Sequence, residues 1–435
     1  MPSMQRRSLI RQGSLAAGAV LAAPFLTACG GPAASTKSAN SPTVITYGNW
    51  EVYKTQADMH KKNVAGFNAS QKRVKVVYQG IANQKMAVEL ATGSAPNIVN
   101  WYQVDPFGPE GILLPLDEYI KTDTKLRSLV VNQQALLQYV VKGKTYAFPS
   151  AIYCQQGVFC NLDMLKAAGV TPPKTGPFSL AEFRSAIAKL LAYTKTKKNT
   201  WPIAPFFPSE YLGVVEGGPL TFSGGGHHLN LSNPILTSSF AWQYDLQFKQ
   251  GASPSAAAVS SLGGSGGDVT MFQTGNLGMM LVDPYPVATL QAHKTPFSWV
   301  VVPGVKEKEY PVHVGIYPLS ITKTCKDPAA AYEYLHYVAT DKAANHLKLS
   351  TGYGIPVRKD VAQTATGPMG QFVYLLTHAT KSYTAPPPLN SVNQFTTKVT
   401  VPAWQAVATG KMTVAKAIAS IEAQWKKHAS YHTPS

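Results

Sequence analysis

Acidic side chains are scarce in this sequence: its 435 residues carry 22 Asp and Glu against 39 Lys and Arg, a formal charge of +17. Such an excess suits a polyanionic partner when the cations form a dense run interleaved with aromatics. Here the Lys residues are scattered, which argues against a nucleic-acid interface. The shortage of carboxylates instead fits an acidic exterior, because fewer groups then titrate between the working pH and neutrality. Cysteine is equally rare, with only Cys29, Cys154, Cys160 and Cys325. No pair has zinc-ligand spacing. If Cys154 and Cys160 share one strand they stand about 20 Å apart, beyond disulfide reach, so free buried thiols are expected. After the N-terminal segment no apolar run approaches the length that spans a bilayer, no G-x-x-x-x-G-K-[ST] phosphate loop occurs, and no internal repeat is evident. No cofactor is expected.

What is present begins with Arg6, Arg7 and Arg11 ahead of "GSLAAGAVLAAPFL", a basic head and a short apolar segment that predict an export signal over residues 1–28. "LTAC", Leu26 to Cys29, resembles the bacterial lipobox, which implies cleavage before Cys29 and acylation of that residue as a lipid anchor. The alternative is an ordinary secretory signal with Cys29 incidental. "QRRSLIR" also resembles a twin-arginine signal, with Leu9 where Phe is common. Residues 29–42 have the Ser, Ala, Pro and Gly content of a flexible tether. The 407 residues left after removal of the signal, with a net charge of +14, exceed what one core usually serves, so two lobes are expected.

"TVITY" and "RVKVVYQG" read as buried strands, and the segment between them places Met59, Val64 and Phe67 at helical spacing. Met86, Leu90 and Ala91 form a second stripe that Gly93 ends, ahead of a strand at "NIVNW". This alternation argues for an α/β fold with mostly parallel sheets. Ser179 and Glu182 stand in capping-box spacing before Phe183, Ile187 and Leu190. A helix from Asn233-Pro234 carries Phe240, Tyr244 and Phe248 and stops at Gly251, and another stacks Val414, Ile418, Ile421 and Trp425. "ASPSAAAVSSLGGSGGD" contains a formal G-x-S-x-G match, but low-complexity flanks make it a loop and not a nucleophile elbow.

The order of local phrases resembles the extracellular solute-binding proteins of ABC importers, in the sugar-binding branch that includes the maltose-binding proteins. The phrases are "TYGNWE", "ELATGSAPNIVNWY" with Asn97 where Asp is commoner, "EGILLPLDEYI", "KGKTYAFPSAIYCQQGVFCNLDMLKAAGVTPPKT", "FQTGNLGMMLVDPYP", "VHVGIYPLSITKTCKDPAAAYEYLHYVAT" and "STGYGIPVRKDV". The resemblance implies a two-lobed, periplasmic-binding-protein-like (type II) fold, each lobe a mostly parallel sheet flanked by helices, with the ligand cleft between them. It implies discontinuous lobes, 43–150 plus 314–343 and 151–313 plus 344–435. It also implies a monomer on the extracytoplasmic face of the bacterial membrane, a separate permease and ATPase as partners, a sugar or oligosaccharide as ligand, and no catalysis.

Sugars need aromatic faces for their C–H side and polar groups for their hydroxyls. Strand-end loops supply Asn49, Trp50, Glu51, Trp101, Tyr102 and Asp105 from the first lobe, and Tyr153, Asp283, Tyr285 and Tyr353 from the second. Trp50 could equally plug a core, and Asp283 could serve as a structural cap. Tyr211 and the pair His227 and His228 lie in poorly matched segments, and no further ligands accompany the pair for a metal. Rival readings are the same fold with a polyamine or sugar phosphate, a secreted glycosidase, or a surface adhesin.

Overall fold

The computed structural model describes residues 41–427 apart from 50–53, 82, 137, 224–225, 262–266 and 385–389. The signal, the lipobox with Cys29, and nearly all of the tether lie outside the described residues. From Pro42 on, the chain forms one compact unit.

Two sheets organise it. In the first, β1 (Thr43–Asn49) pairs in parallel with β2 (Val74–Gly80) and with β3 (Ile98–Asn100). Ile45, Tyr47, Val74 and Val76 point into the core while Val44 and Val77 face out, the period-two pattern of a half-covered sheet. Between β1 and β2 runs α1 (Lys54–Ser70), which buries Met59, Val64 and Phe67. Helix α2 (Asn83–Thr92) buries Met86 and Leu90 but leaves Ala91 exposed, and Gly93 ends it at φ +73°. Asn97 is structural: its Oδ1 accepts from Thr46 N (3.0 Å) and Thr46 Oγ1 (3.1 Å), tying β3 to β1.

The chain then passes along β4 (Phe148–Cys154) into β5 (Gly157–Asn161). The second sheet has the order β8 (Trp299–Val302), β5, β7 (Leu277–Val282), β6 (Trp201–Ile203). It packs against α3 (Leu180–Thr194), whose Ser179 and Glu182 form the expected capping box and whose Phe183, Ile187 and Leu190 are fully buried. The long strand β9 (Pro311–Ile321) returns to the first sheet, antiparallel to β3 and β4 and parallel to β10 (Lys381–Tyr383). Both sheets are therefore mixed. In the second only β7 and β6 run parallel, and β5 runs antiparallel to both β7 and β8.

Three segments lie together where the sheets meet. Gln155 N donates to His313 O (3.1 Å), His313 N donates to Gln156 Oε1 (3.1 Å), and Ile152 and Ile355 exchange both backbone bonds (2.9 and 2.7 Å). Gln156 is held at φ +80°, a left-handed conformation that a non-glycine side chain adopts only when its surroundings fix it. Cys154 and Cys160 lie on different strands and are free and buried, as is Cys325.

Towards the C-terminus, α4 (Pro234–Tyr244) is capped by Asn233 and buries Phe240, but the next turn, Asp245–Lys249, widens to π-helical geometry. This rotates Phe248 out to 44% exposure, against its expected place on the core face. Ala256–Ser261 is a short helix where a loop is expected, and the glycine run after it falls outside the described residues. The helices that follow include α5 (Pro286–Ala292), α6 (Pro328–Thr340), α7 (Lys342–Ser350) and α8 (Val401–Ala408). In the last helix, α9 (Val414–Lys427), the stripe of Val414, Ile418, Ile421 and Trp425 is buried as expected, packed with Phe240 and Trp404.

An Ile187→Ala substitution removes a fully buried side chain from the core of the second sheet and should cost about 2–5 kcal/mol, whereas Phe248→Ala, which loses only the contacts of a partly exposed ring with Phe207 and Tyr244, should cost about 1 kcal/mol. Urea unfolding of the two variants beside the parent checks both.

Candidate functional site

Strand ends and the crossing segments surround the site. Asn49 closes β1 and is buried, and its neighbours Trp50 and Glu51 lie outside the described residues. Trp101 follows β3 directly. It is 7% exposed, meets Phe107 edge-on at 5.8 Å, and leaves its Nε1 without a hydrogen-bond partner in the structure. Tyr102 is half-buried and Asp105 buried.

A group of tyrosines gathers at the crossings. Burial pushes the Tyr102 phenol well up, and the phenols of Tyr317, Tyr353, Tyr153 and Tyr139 lie close enough to add to the shift. Tyr153 stands edge-on to Tyr317 at 5.3 Å, and Tyr317 lies against Tyr353 at 4.4 Å. Gly315, opposite Tyr153 in the β4–β9 register, makes room for its ring: a Cβ there would fall 2.0 Å from Tyr153 Cζ. Tyr353 is 4% exposed, packed with Met59, Ala151, Tyr317 and Leu347, and edge-on to His60 at 5.1 Å. Its surroundings are those of a core tyrosine.

Asp283 and Tyr285 follow β7 and line a cavity of about 260 Å³ together with Gln155, Gln156, Phe206 and Ser209. The Tyr285 backbone N–H donates to Asp283 Oδ1 (3.0 Å), and Tyr285 Oη donates to Asp268 Oδ2 (3.4 Å). Burial raises the Asp283 carboxyl to about 7, the Tyr285 N–H opposes the shift, and Asp268 adds to it. Asp283 in turn helps raise Tyr153 and Tyr317. Tyr102, Tyr153, Asp283 and Tyr285 are thus brought into one neighbourhood from three separate stretches of sequence.

A second cavity of about 400 Å³ shares Gln155, Gln156 and Ser209 with the first and adds Glu210, Phe222, His313, Tyr383 and Trp404. The His313 ring stands 5.3 Å from Tyr383 and 6.3 Å from Tyr153. Burial lowers its pKa to about 4, so the imidazole is neutral, and its Nδ1 has no partner in the structure. Glu210 Oε2 accepts from Thr221 N at 2.5 Å.

Sequence reasoning missed Gln155, Gln156, Ser209, Glu210 and His313. The signal for the first two was two adjacent amides interrupting the apolar run of "YCQQGVFCN". Ser209 and Phe206 are placed from a distance. Buried Gln243 accepts from Ser209 N (3.0 Å) and donates to Ser209 O (2.7 Å), and Gln247 accepts from Phe206 N (3.1 Å). Tyr211 clamps Val305 through its hydroxyl, donating to the carbonyl and accepting from the N–H, and so is structural. Among the described residues no group of three or more His, Cys, Asp or Glu could hold a metal, and His228 is exposed.

Comparison with known proteins places this geometry. The family model described as bacterial extracellular solute-binding protein matches residues 52–345. No curated protein matches the chain in sequence. Among solved structures, an ABC substrate-binding protein from Listeria monocytogenes in complex with cycloalternan is similar at a TM-score of 0.75 and 20% identity, over 89% of this chain and 98% of that one. An ABC transporter solute-binding protein from Thermotoga lettingae bound with α-D-tagatose aligns at 0.73 and 17%, over 88% and 99%. The GacH receptor of Streptomyces glaucescens, solved unliganded and with acarbose, aligns at 0.68 and 19%, over 88% and 98%.

The raised Asp283 pKa has a thermodynamic sign. The folded state binds this proton more tightly than the unfolded chain, so the group disfavours folding increasingly as pH rises from about 4 to about 7. Asp283→Asn should therefore leave stability unchanged near pH 3 and raise it at pH 8, by up to about 3 kcal/mol, as thermal unfolding of the ligand-free protein at the two pH values will report.

Proposed function

The chain belongs to the bacterial extracellular solute-binding proteins, and we propose that its cleft captures a sugar or oligosaccharide outside the membrane and delivers it to an ABC permease driven by a separate ATPase. The observation that carries the reading is the pair of neighbouring cavities at the crossings, which share Gln155, Gln156 and Ser209 in their walls. They offer Tyr285, Phe222 and Trp404 as faces for sugar rings and Gln155, Gln156, Ser209, Asp283 and Glu210 as partners for hydroxyls. The sugar and oligosaccharide ligands of the similar structures support it.

Capture works by closure. Ligand that touches both lobes stabilises the closed arrangement by its differential affinity for that state. The lobes we propose are 43–150 with 314–343 and 151–313 with 344–435, moving about Gln155–Gln156 and the entry to β9. The strand β10 reaches back to the edge of the first sheet. Asn49, Trp50, Glu51, Trp101, Tyr102 and Asp105, with Tyr153 on β4 of the first sheet, meet the ligand from one side and Asp283 and Tyr285 from the other, while Tyr353 supports the tyrosine group from the core. Binding proceeds without turnover, in a monomer held to the membrane by lipid on Cys29. No helix among the described residues is long and apolar enough to cross a membrane.

Thermal unfolding of residues 30–435 against mono- and oligosaccharides, sugar phosphates and polyamines tests the reading. A ligand at about 1,000 times its Kd adds roughly 4 kcal/mol, a rise of several degrees. Tyr285→Ala should weaken that ligand at least about tenfold, as expected for removal of a stacking face. A response only to sugar phosphates or polyamines would change the cargo, and silence throughout would remove the binding-protein reading.

A further inference from the structure

The cleft and the rest of the chain have opposite electrostatic character. Lys and Arg outnumber acids 39 to 22, yet neither of the two neighbouring cavities has a Lys or Arg among its described lining residues, and each contains a carboxylate, Glu210 in the larger and Asp283 in the smaller. The internal segments outside the described residues contribute Glu51 and no Lys or Arg to the sequence. The titratable groups that interact with Asp283 are Asp268 on the segment before β7, Tyr153 and Cys154 on β4, and Tyr317 on β9, with Tyr285 beside it. All are acids or phenols and thiols, and none supplies a positive charge. The imidazole that lines the larger cavity, His313, is neutral, so it supplies no positive charge either.

A neutral sugar needs acceptors, and Gln155, Gln156 and Ser209 already supply amide and hydroxyl groups. A carboxyl whose ionised form burial disfavours, as for Asp283, gains more from a cation, which lets it ionise and serves as its counter-ion. The aromatic faces of Tyr285, Phe222, Tyr383 and Trp404 attract a cation as readily as they cover a C–H face.

We propose that the cleft is selective for a positively charged sugar, an oligosaccharide with free amino groups, whose ammonium takes Asp283 as its counter-ion while Glu210 accepts from its neighbouring units. The proposal rests on the sugar-capture reading and narrows it. A basic protein that presents only acids and neutral acceptors to its ligand repels cations at its general surface and pairs them in its cleft, so the charge selects for the cleft as the single place of binding.

Titration calorimetry with the mature chain decides the matter. The probes are β-1,4-linked glucosamine di- and trisaccharides, their N-acetylated counterparts, their hydroxyl counterparts cellobiose and cellotriose, and a maltose series as a second neutral linkage. The amine-bearing member should bind at least about tenfold tighter than its hydroxyl counterpart, the scale of one charge-assisted contact. Asp283→Asn should erase that preference, read as the ratio of the Kd values of the amine-bearing sugar and its hydroxyl counterpart on the same variant, with Glu210→Gln as a second variant. Equal or tighter binding of any neutral or N-acetylated sugar overturns the charge assignment and leaves sugar capture standing. A preference for the amine that survives Asp283→Asn overturns the role given to Asp283. Silence across every saccharide overturns both this proposal and the sugar reading beneath it.

Discussion

The exchange between Gln156 and His313 fixes the geometry on which the site depends. At that point the chain leaves one sheet for the other, and an exposed stretch of backbone must be satisfied without a ladder to satisfy it. The side-chain amide of Gln156 accepts from His313 N, and the main chain of Gln155 donates to His313 O. The positive φ of Gln156 is the conformational cost of that arrangement. Because Gln155, Gln156 and His313 all line the larger cavity, the residues that join the sheets are also walls of the site, and no reorientation of the sheets can leave the ligand contacts unchanged.

A second set of amides repeats the device. Gln243 and Gln247 are buried one turn apart and hold the loop of Phe206 and Ser209 by its backbone. Their spacing spans the passage from α4 into the π-helical turn. The same widening that turns Phe248 to solvent accompanies the placement of Gln247 against the loop. Irregularity in a helix is here the means by which a cavity wall is positioned.

Much of the fold was legible because its signals are local. The capping box at Ser179 and Glu182, the strand alternation at Ile45 and Tyr47, and the stripe of α9 each depend on neighbours within a turn or two. Of the candidate site, Asp283 and Tyr285 were legible as a strand end that lines the smaller cavity, and Tyr102 and Tyr153 as members of the tyrosine group beside it. The site was not legible at Gln155, Gln156 and Ser209, whose roles arise from contacts with residues 34 to 157 positions away. Nor could the sequence distinguish a tyrosine that faces a cavity from one that packs in the core, which is the difference between Tyr285 and Tyr353. Both are aromatic residues at the end of a plausible element, and only the neighbours that tertiary structure brings in separate them. Gly315 is a similar case: its lack of a side chain reads as a weak strand position until the ring of Tyr153 is seen to occupy the space.

The strand β9 carries a consequence for how the molecule comes into being. It completes the first sheet by pairing with β3 and β4, yet it lies more than 200 residues after β3 begins, with the whole of the second sheet encoded between. During synthesis the N-terminal strands therefore wait, unpaired on one edge, until residues 311–321 emerge. Closure over so long a loop is slow, and the half-built sheet exposes an apolar edge throughout. The interleaving that lets one chain make a jointed cleft also makes it a late-folding protein, unfinished for most of its time on the ribosome.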